Sequence, residues 1–558
     1  MMAENSYILD LKDVCHICKT LEQIICHSIG PRGSKTLLAT ETGQVIITSD
    51  GRAVLRKLHF SHPIAKLIID SMTKTVNFTG DGSKTFILYL SQFIKQLDNF
   101  EHRRNCYGRN SYVSALQKIK QKITDELFPY MQSKMPEMVQ CFSAEILGKI
   151  LKTCLSNFFP FRIVDHYVSL MNDVICVDPH HFKEHIQNIS DNFEQICVKI
   201  PNLPFAESKT MPGFIIRRKF AVYNKNSLTE NLKFLICMFS VTGHPKNLET
   251  REIIKLKSEF AMIKFMDHHK LLLTSFVEMC LSNNVNLIIC AEQVSDQALY
   301  LLESSGISVI HFVPEEDCQW LLANLKMSPC ISILEKFESN MFYKANSCKP
   351  LIINGRQCIH LDLKSVLQLP KMLLICAPTE GLCNQVSVNL QKSLKSLLVC
   401  FSSDHCDSLS EPIDDRKEKL TIGKVAVVGG GGTFEFLASD FLLDLEVKFQ
   451  DCECVNLMCK LLSEALLQLP KVLFQNNSPS KEINLKRYFL SLEEIGKSKC
   501  CKKYLGFNRN GAVSDLFSDG ILESVVMKIH VLLSVIELIQ QMLRVDAVIG
   551  VKRIIQDD

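Results

Sequence analysis

The feature that most constrains this chain is a change of hydrophobic periodicity along its length. Both ends show the spacing typical of helices, for example from Leu11 to Ile29. The middle, from about Gly213 to Ile333, alternates strand-like runs such as "LKFLICMF" and "VNLIICA" with helical segments, which indicates an α/β domain. The order helical, α/β, helical therefore predicts a discontinuous, mainly helical domain that carries an inserted α/β domain.

Length and charge narrow the class of protein. The 558 residues exceed one hydrophobic core, and 63 basic against 60 acidic side chains leave a net charge of +3, too small a field to predict binding to nucleic acid or to an anionic membrane. The start "MMAENSYILDLKDVC" lacks the pattern of a signal peptide. We also expect no apolar run of membrane-spanning length, no membrane insertion, and a cytoplasmic location.

The 24 cysteines are scattered among apolar neighbours, as expected of small buried hydrophobes in a reducing compartment. One alternative is a zinc site formed by Cys15 and Cys18 of "CHIC" with Cys26 and His27. Against it, these residues lie in a helical pattern, and no second ligand pair follows at zinc-finger or zinc-ribbon spacing.

Four glycine turns each end one element and begin another: "IGPRGSK", "ITSDGR", "TGDGSKT" and "VVGGGGTFEF". The third is not a P-loop, because Ser83 separates Gly82 from Lys84. It is a Gly-Asp-Gly turn that opens a helix, where exposed N–H groups favour an anion and an aspartate could hold Mg²⁺. The fourth is a poor dinucleotide-binding turn, since the third glycine position falls on Phe434 and more helix follows.

In this order the four turns resemble the nucleotide-binding elements of group II chaperonins, the family of the eukaryotic cytosolic chaperonin and the archaeal thermosome. The segments "LHFSHPIAKLIIDSM" and "GAVSDLFSDGILESVVMKIHVLLSVIELIQQMLRVDAVIGVKR" are similar to family segments as well. The resemblance covers nearly the whole chain and is weak only between about Pro201 and Pro350.

This resemblance implies an α/β plus mainly helical fold, a three-domain group II chaperonin subunit that is discontinuous in sequence. The implied equatorial domain comprises residues 1–146 and 411–558, the intermediate domain residues 147–205 and 366–410, and the apical substrate or partner domain residues 206–365.

The resemblance also implies a site for ATP and Mg²⁺. Asp50 and Asp81 match the family's metal-binding acids, and Glu523 matches a carboxylate near the ribose. The full nucleotide-binding set that it implies is Gly30, Pro31, Gly33, Asp50, Gly51, Asp81, Gly82, Ser83, Lys84, Thr85, Gly430, Gly431, Gly432 and Glu523.

Departures from the family pattern argue against hydrolysis. Lys392 of "NLQKSL" stands where the family has the aspartate that positions the attacking water, and a lysine cannot serve as that carboxylate. Phe158 stands where the family has a phosphate-sensing lysine. Asp404 and Asp407 are an alternative source of the missing carboxylate, although they lie in a polar stretch rather than on a helix. Nucleotide binding is expected, with little or no ATPase activity.

These departures resemble one diverged branch, the chaperonin-like proteins of Bardet-Biedl syndrome. The branch implies an assembly factor or scaffold that works beside the cytosolic chaperonin and other members of the branch on the subunits of the ciliary trafficking coat complex. It also implies a location at the centrosome or the basal body of the cilium. An ATP-hydrolysing chaperonin subunit is the alternative, and a metabolic nucleotide-dependent enzyme is a more distant one.

Overall fold

The computed structural model describes most of the chain, and every statement below concerns the described residues. They are residues 3–8, 10–39, 45–60, 62–104, 107–141, 143–175, 182–228, 232–242, 259–363, 369–401, 424–449, 452–477, 485–500 and 504–551. Asp404 and Asp407 lie outside these ranges, so the alternative source of a carboxylate is left open.

The chain forms two compact units. The first joins both chain ends, Met1–Val168 with Val388–Asp558, and the second is Ser169–Ser387. A discontinuous domain with an insertion was predicted from the sequence, and both unit boundaries fall inside the segments assigned there to an intermediate domain. The boundaries of three separate domains stay a prediction.

The first unit is mainly helical. The predicted helix from Leu11 ends at Ile25 and continues as a 3₁₀ turn, Cys26–Ser28, and Pro63 opens a helix as expected. The helices of this unit are Leu11–Ile25, Gly51–Lys57, Pro63–Thr79, Ser83–Arg104, Arg109–Lys122, Phe128–Lys134, Ala144–Ser156, Thr433–Lys448, Glu453–Leu466, Gln468–Asn477, Leu485–Cys500 and Val525–Leu543. Two further helices, Phe161–Ile175 and Glu380–Phe401, run across the unit boundaries.

A small sheet in the first unit brings distant parts of the chain together. Lys424–Gly429 is its central strand, flanked by Val139–Cys141 and Leu522–Ser524, both antiparallel to it. This pairing sets Glu523 beside Val428, at the strand end that leads into the Gly429 to Gly432 turn. The unit also contains three two-stranded pairs, Ala3–Ile8 with Ala547–Val551, Thr36–Ala39 with Val45–Thr48, and Gly506–Phe507 with Val513–Ser514.

The core of the first unit is built from both chain ends. Buried side chains of the helix Ser83–Arg104, such as Leu88 and Phe93, belong to the same cluster as Phe434 and Leu532 from the C-terminal half. The helix Val525–Leu543 is long and apolar enough to cross a membrane by length and composition, which corrects the expectation that no run approaches that length. Most of it is buried inside this unit, which accounts for its apolar composition.

The second unit is an α/β domain, as the alternating pattern predicted. Its four-stranded sheet has the order Ser308–Ile310, Leu287–Cys290, Leu232–Cys237 and Phe342–Ala345, the last strand antiparallel to its neighbour. Two three-stranded sheets accompany it, Ser347–Ile353 with Arg356–Asp362 and Phe214–Ile216, and Cys197–Pro201 with Met372–Ala377 and Lys209–Met211. Its helices are Phe182–Asp191, Phe193–Ile196, Glu259–Ser282, Asp296–Ser304 and Glu315–Leu325.

The zinc alternative gains no support from the structure. Cys15 and Cys18 lie on the helix Leu11–Ile25, and Cys18 is buried in the core. Within the described ranges, no group of three or more His, Cys, Asp or Glu side chains is arranged to hold a metal ion.

Candidate functional site

The Gly-Asp-Gly turn joins two helices of the first unit, Pro63–Thr79 and Ser83–Arg104. Gly80 and Gly82 both have positive φ angles, 78° and 101°, which a residue with a Cβ rarely adopts. Asp81 Oδ1 accepts a hydrogen bond from Gly82 N at 2.7 Å, and Thr79 Oγ1 donates to Asp81 O at 2.6 Å. The turn is therefore held in a fixed shape at the N-terminus of a 22-residue helix.

A cleft of about 550 Å³ opens beside this turn, entirely within the first unit. This volume is in the range of small-molecule sites, about 300–1,000 Å³. Both halves of the unit line it. Of the residues predicted to bind nucleotide, its lining contains Gly30, Pro31, Asp81, Gly82, Lys84, Thr85, Gly431 and Glu523.

Close packing surrounds the glycines of the turn from Gly429 to Gly432. A Cβ on Gly431 would lie 2.3 Å from Phe507 O, and the φ angle there is 61°, so only glycine fits this close approach. A Cβ on Gly430 would lie 3.2 Å from Glu523 Oε1. Gly432, the residue before the helix Thr433–Lys448, packs against Pro470 instead.

Three predicted positions do not line the cleft as expected. Gly33 folds back on its own turn, where its N donates to Gly30 O at 3.0 Å and an added Cβ would lie 2.5 Å from Ser28 O. Gly51 lies against the stem of Lys84, and Ser83 is buried at 2% exposure. These residues shape the neighbouring turns rather than the surface of the cleft.

Asp50 also lies outside the lining, and both of its carboxylate oxygens have partners. Oδ1 caps a short helix by accepting from Arg52 N at 3.2 Å. Oδ2 accepts from the ammonium group of Lys392, which reaches it from the helix Glu380–Phe401. The two side chains of this ion pair are 13% and 14% exposed. The lysine at the position of the family's water-positioning aspartate thus neutralises a predicted metal ligand.

A second ammonium group lies next to the two predicted metal ligands. Lys84 Nζ donates to Ser28 O at 2.5 Å, while its charge interacts with Asp81 and Asp50. Burial lowers the pKa of Lys84 below its ordinary value, and the two aspartates oppose that change. Two carboxylates and two ammonium groups therefore balance one another, and a Mg²⁺ ion at Asp50 would have to displace Lys392. The predicted magnesium site does not fit these residues.

Glu523 lies in the cleft lining, on a strand rather than at a helix start. Its Oε2 pairs with Lys528 Nζ at 2.8 Å, and Lys528 Nζ also donates to Glu435 Oε1 at 3.0 Å. Tyr89 OH donates to the same Glu435 oxygen at 2.6 Å. Burial raises the pKa of Glu523, and the charge of Lys528 opposes this change. The pKa of Lys528 is also raised, because the two carboxylates outweigh the opposite effect of burial. The pairing with Lys528 was not predicted.

Further basic side chains of the cleft were missed from the sequence. Lys149 and Lys152 lie on the helix Ala144–Ser156, and Arg509 lies in the segment after the strand Gly506–Phe507. The spacing "GKILKT" puts the two lysines on one face of an amphipathic helix, which is the signal that could have identified them. The charged side chains of the lining are Lys84, Lys149, Lys152, Arg509 and Lys528 against Asp81, Asp519 and Glu523. Basic side chains therefore outnumber acidic ones in the lining.

Phe158 lies just beyond the helix Ala144–Ser156 and is 8% exposed. Its ring packs beside Phe159 at a centroid distance of 6.5 Å. Its neighbour Asn157 does line the cleft and accepts a hydrogen bond from Ser49 Oγ at 3.1 Å. Phe158 itself is not in the lining of the cleft, and its correspondence to the family's phosphate-sensing lysine stays a prediction.

The fold and this cleft define a chaperonin subunit. A model of the TCP-1/cpn60 chaperonin family matches residues 21–553, so the chain belongs to this family. Its overall fold is similar to that of a group III chaperonin crystallised in the open state, with a TM-score of 0.72 at 15% identity, covering 96% of this chain and 98% of the other. The fold predicted from the sequence is confirmed.

Among the relatives, the BBSome complex assembly protein BBS10 of Homo sapiens is 24% identical over 73% of this chain. The Mus musculus BBS10 protein is 22% identical over 69% of it. The chain spans 60% of the human protein and 58% of the mouse protein. Thermosome subunit alpha of Archaeoglobus fulgidus is 22% identical over 96% of this chain and 90% of the relative. The resemblance to the Bardet-Biedl branch is confirmed.

Proposed function

We propose that this protein is a chaperonin-like assembly factor that assists assembly of the BBSome, the complex in the name of its BBS10 relatives, with little or no ATP hydrolysis. Membership of the TCP-1/cpn60 family supports the chaperone part of this proposal. Similarity to the BBS10 proteins supports the assembly part.

The observation that carries the loss of hydrolysis is the ion pair of Lys392 with Asp50. In-line phosphoryl transfer to water uses a cation on the phosphate oxygens and a group that positions the water. Here an ammonium group stands where the family has the water-positioning carboxylate, and it also engages one predicted cation ligand. Losing a positioned base alone lowers the rate by roughly 10²- to 10⁴-fold.

The remaining features of the function follow from the same branch. The partners proposed are the cytosolic chaperonin, other chaperonin-like proteins of the branch, and subunits of the ciliary coat complex. The location proposed is the cytoplasm, at the centrosome or the basal body of the cilium. ATP is the nucleotide proposed for the cleft, because the turns that line it match those of the family.

The alternative is an ATP-hydrolysing subunit that folds protein clients. Retention of Asp81 in the cleft lining favours it, since this aspartate matches a family acid. The alternative requires that Lys392 leave Asp50 during turnover.

Single-turnover ATP hydrolysis by the purified chain, free of co-purifying chaperonin, separates the two proposals. We expect no turnover above that of Asp81→Ala. A companion experiment depletes the protein from ciliated cells, restores wild type or Asp81→Ala, and measures BBSome assembly by native sizing. Equal rescue by both is expected. Turnover at ordinary chaperonin rates that disappears in Asp81→Ala, together with failed rescue, contradicts the assembly proposal.

A further inference from the structure

Two lysine ammonium groups lie next to the turns of the cleft. Lys392 pairs with Asp50, and Lys84 lies next to Asp50 and Asp81. Because the ammonium groups already neutralise the two carboxylates, a divalent cation gains little by entering between them. A phosphate group at the same place meets Lys84 in the cleft lining, while Lys392, which is not in the lining, adds its positive charge from the ion pair with Asp50 next to Lys84.

Two basic side chains of the cleft lining, Lys149 and Lys152, are partly exposed. Lys528 is committed to Glu435 and Glu523. Lys149 pairs with Glu145 at 2.7 Å and Lys152 with Asp165 at 2.8 Å, but the four side chains are between 37% and 76% exposed. Exposed ion pairs of this kind contribute little to stability, so a polyphosphate competes for these lysines at little cost.

One polar atom in the lining indicates a larger ligand than a bare polyphosphate. Asn477 is 1% exposed, and its Nδ2 donates to Asn508 O at 3.1 Å. Its Oδ1 is buried and has no hydrogen-bond partner among the described residues. A buried acceptor of this kind is unfavourable unless a donor reaches it. Leu469, Leu473 and Met527 are also in the lining. An aromatic base that carries an amino group offers a donor to Asn477 Oδ1 and an apolar ring to these three side chains.

We propose that the cleft binds an adenine nucleotide without a divalent cation, with Lys84 and Lys392 in the place of the metal. This inference rests on the proposed function, which includes a nucleotide site with little hydrolysis. It differs from the family-implied site in one respect, because the cation is a part of the chain.

The test is equilibrium binding of radiolabelled ATP to the full chain in excess EDTA and in millimolar Mg²⁺. We expect dissociation constants that agree within about threefold, a free-energy difference below ~0.7 kcal/mol. Unlabelled tripolyphosphate should compete at least about tenfold more weakly than ATP, because it offers no donor to Asn477.

Two substitutions of Lys392 and one control substitution test what this lysine contributes to binding. Lys392→Met should weaken binding about tenfold in both solutions. Lys392→Asp should make binding depend on Mg²⁺ by about tenfold or more, because three carboxylates then face one ammonium group. Lys395→Met is the matched control on the same helix and should behave as wild type. Circular dichroism checks that each variant is folded.

Two outcomes overturn the inference. One is ATP binding that weakens tenfold or more in EDTA, and the other is absence of ATP binding in both solutions. Neither contradicts the assembly role, which is judged by rescue in cells. Conversely, failed rescue with binding unaffected by EDTA contradicts the assembly role and leaves the metal-free site standing.

Discussion

The ammonium group of Lys392 and the carboxylate of Asp50 form an ion pair between residues 342 positions apart in the sequence. Lys392 lies on the helix Glu380–Phe401, and the same helix packs on the Gly-Asp-Gly turn. Ser396 Oγ donates to Thr79 O at 3.3 Å, and a Cβ on Gly80 would lie 2.7 Å from Lys392 O. The part of this helix that belongs to the first unit, from Val388 onward, therefore packs against the turns of the cleft.

The first prediction concerns the energy of this ion pair. Asp50→Asn and Lys392→Met should each destabilise the first unit by about 1–3 kcal/mol, because each leaves a mostly buried charge unpaired. The double variant should cost clearly less than the sum of the two. The measurement is urea unfolding by circular dichroism, with fluorescence of Trp320, in the second unit, as an internal reference. Strictly additive costs would show that the pair has no coupling energy.

The second prediction concerns Lys528. Lys528→Met should destabilise the first unit by about 3–5 kcal/mol at neutral pH, because it leaves Glu435, which is 0% exposed, with an unpaired charge. Adding Glu435→Gln should restore a large part of this loss. A single variant as stable as wild type would contradict the network described here.

The pH dependence of the same variant has a definite sign. Without Lys528, the effect of burial on Glu523 loses its main opposing charge, so the folded-state pKa of Glu523 rises further above the unfolded value. The folded variant then binds more protons than the unfolded chain, so its deficit relative to wild type should shrink as the pH falls from neutral towards 5. A deficit that grows over this interval contradicts the assignment.

The third prediction concerns Gly80. Gly80→Ala should destabilise the first unit by more than about 2 kcal/mol, since a positive φ costs roughly 1–3 kcal/mol and the added Cβ meets the backbone of the lysine-bearing helix. Gly496→Ala is the matched control, because Gly496 lies inside the helix Leu485–Cys500 with nothing within 4 Å of the added Cβ. The control should stabilise by about 0.5–1 kcal/mol. Urea unfolding measures both, and similar effects at the two glycines would contradict the packing.

Much of this architecture could be predicted from the sequence, because its signals are local. Short stretches of sequence are enough to predict the strands of the second unit and the helix that begins at Pro63. The joining of the two chain ends was predicted from the order of helical and α/β periodicity, and the match of four separate glycine turns to one family supported it. The periodicity alone could not show where the units divide, since Phe161–Ile175 and Glu380–Phe401 run across both boundaries without a break.

The site was predicted less completely, for a physical reason. The resemblance to the family marked Lys392 as standing in the place of a carboxylate, but its pairing with Asp50 is set by tertiary packing and leaves no local pattern. The Glu435 to Lys528 bond likewise joins residues 93 positions apart. Lys149 and Lys152 do have a local spacing, yet which helix face borders the cleft depends on the strand Leu522–Ser524, since Leu522 N donates to Thr153 Oγ1 at 3.1 Å.

The fourth prediction concerns His530 on the helix Val525–Leu543. Its ring lies 4.6 Å from that of Phe78, and burial lowers its pKa below the ordinary value of 6.5, while Glu537 opposes this change. A histidine with a lowered folded-state pKa binds fewer protons when folded than when unfolded. Its contribution to stability is therefore full above pH 6.5 and is lost as the pH falls through the folded-state pKa.

His530→Gln should make the stability of the first unit fall less steeply between neutral pH and pH 5. The change in slope should be at most that expected for the binding of one proton. The exposed His59 supplies the matched control, His59→Gln. Urea unfolding at a series of pH values measures the slope, and a slope unchanged in His530→Gln, or changed equally by both substitutions, would mean that burial of this imidazole does not contribute to the acid sensitivity of the fold.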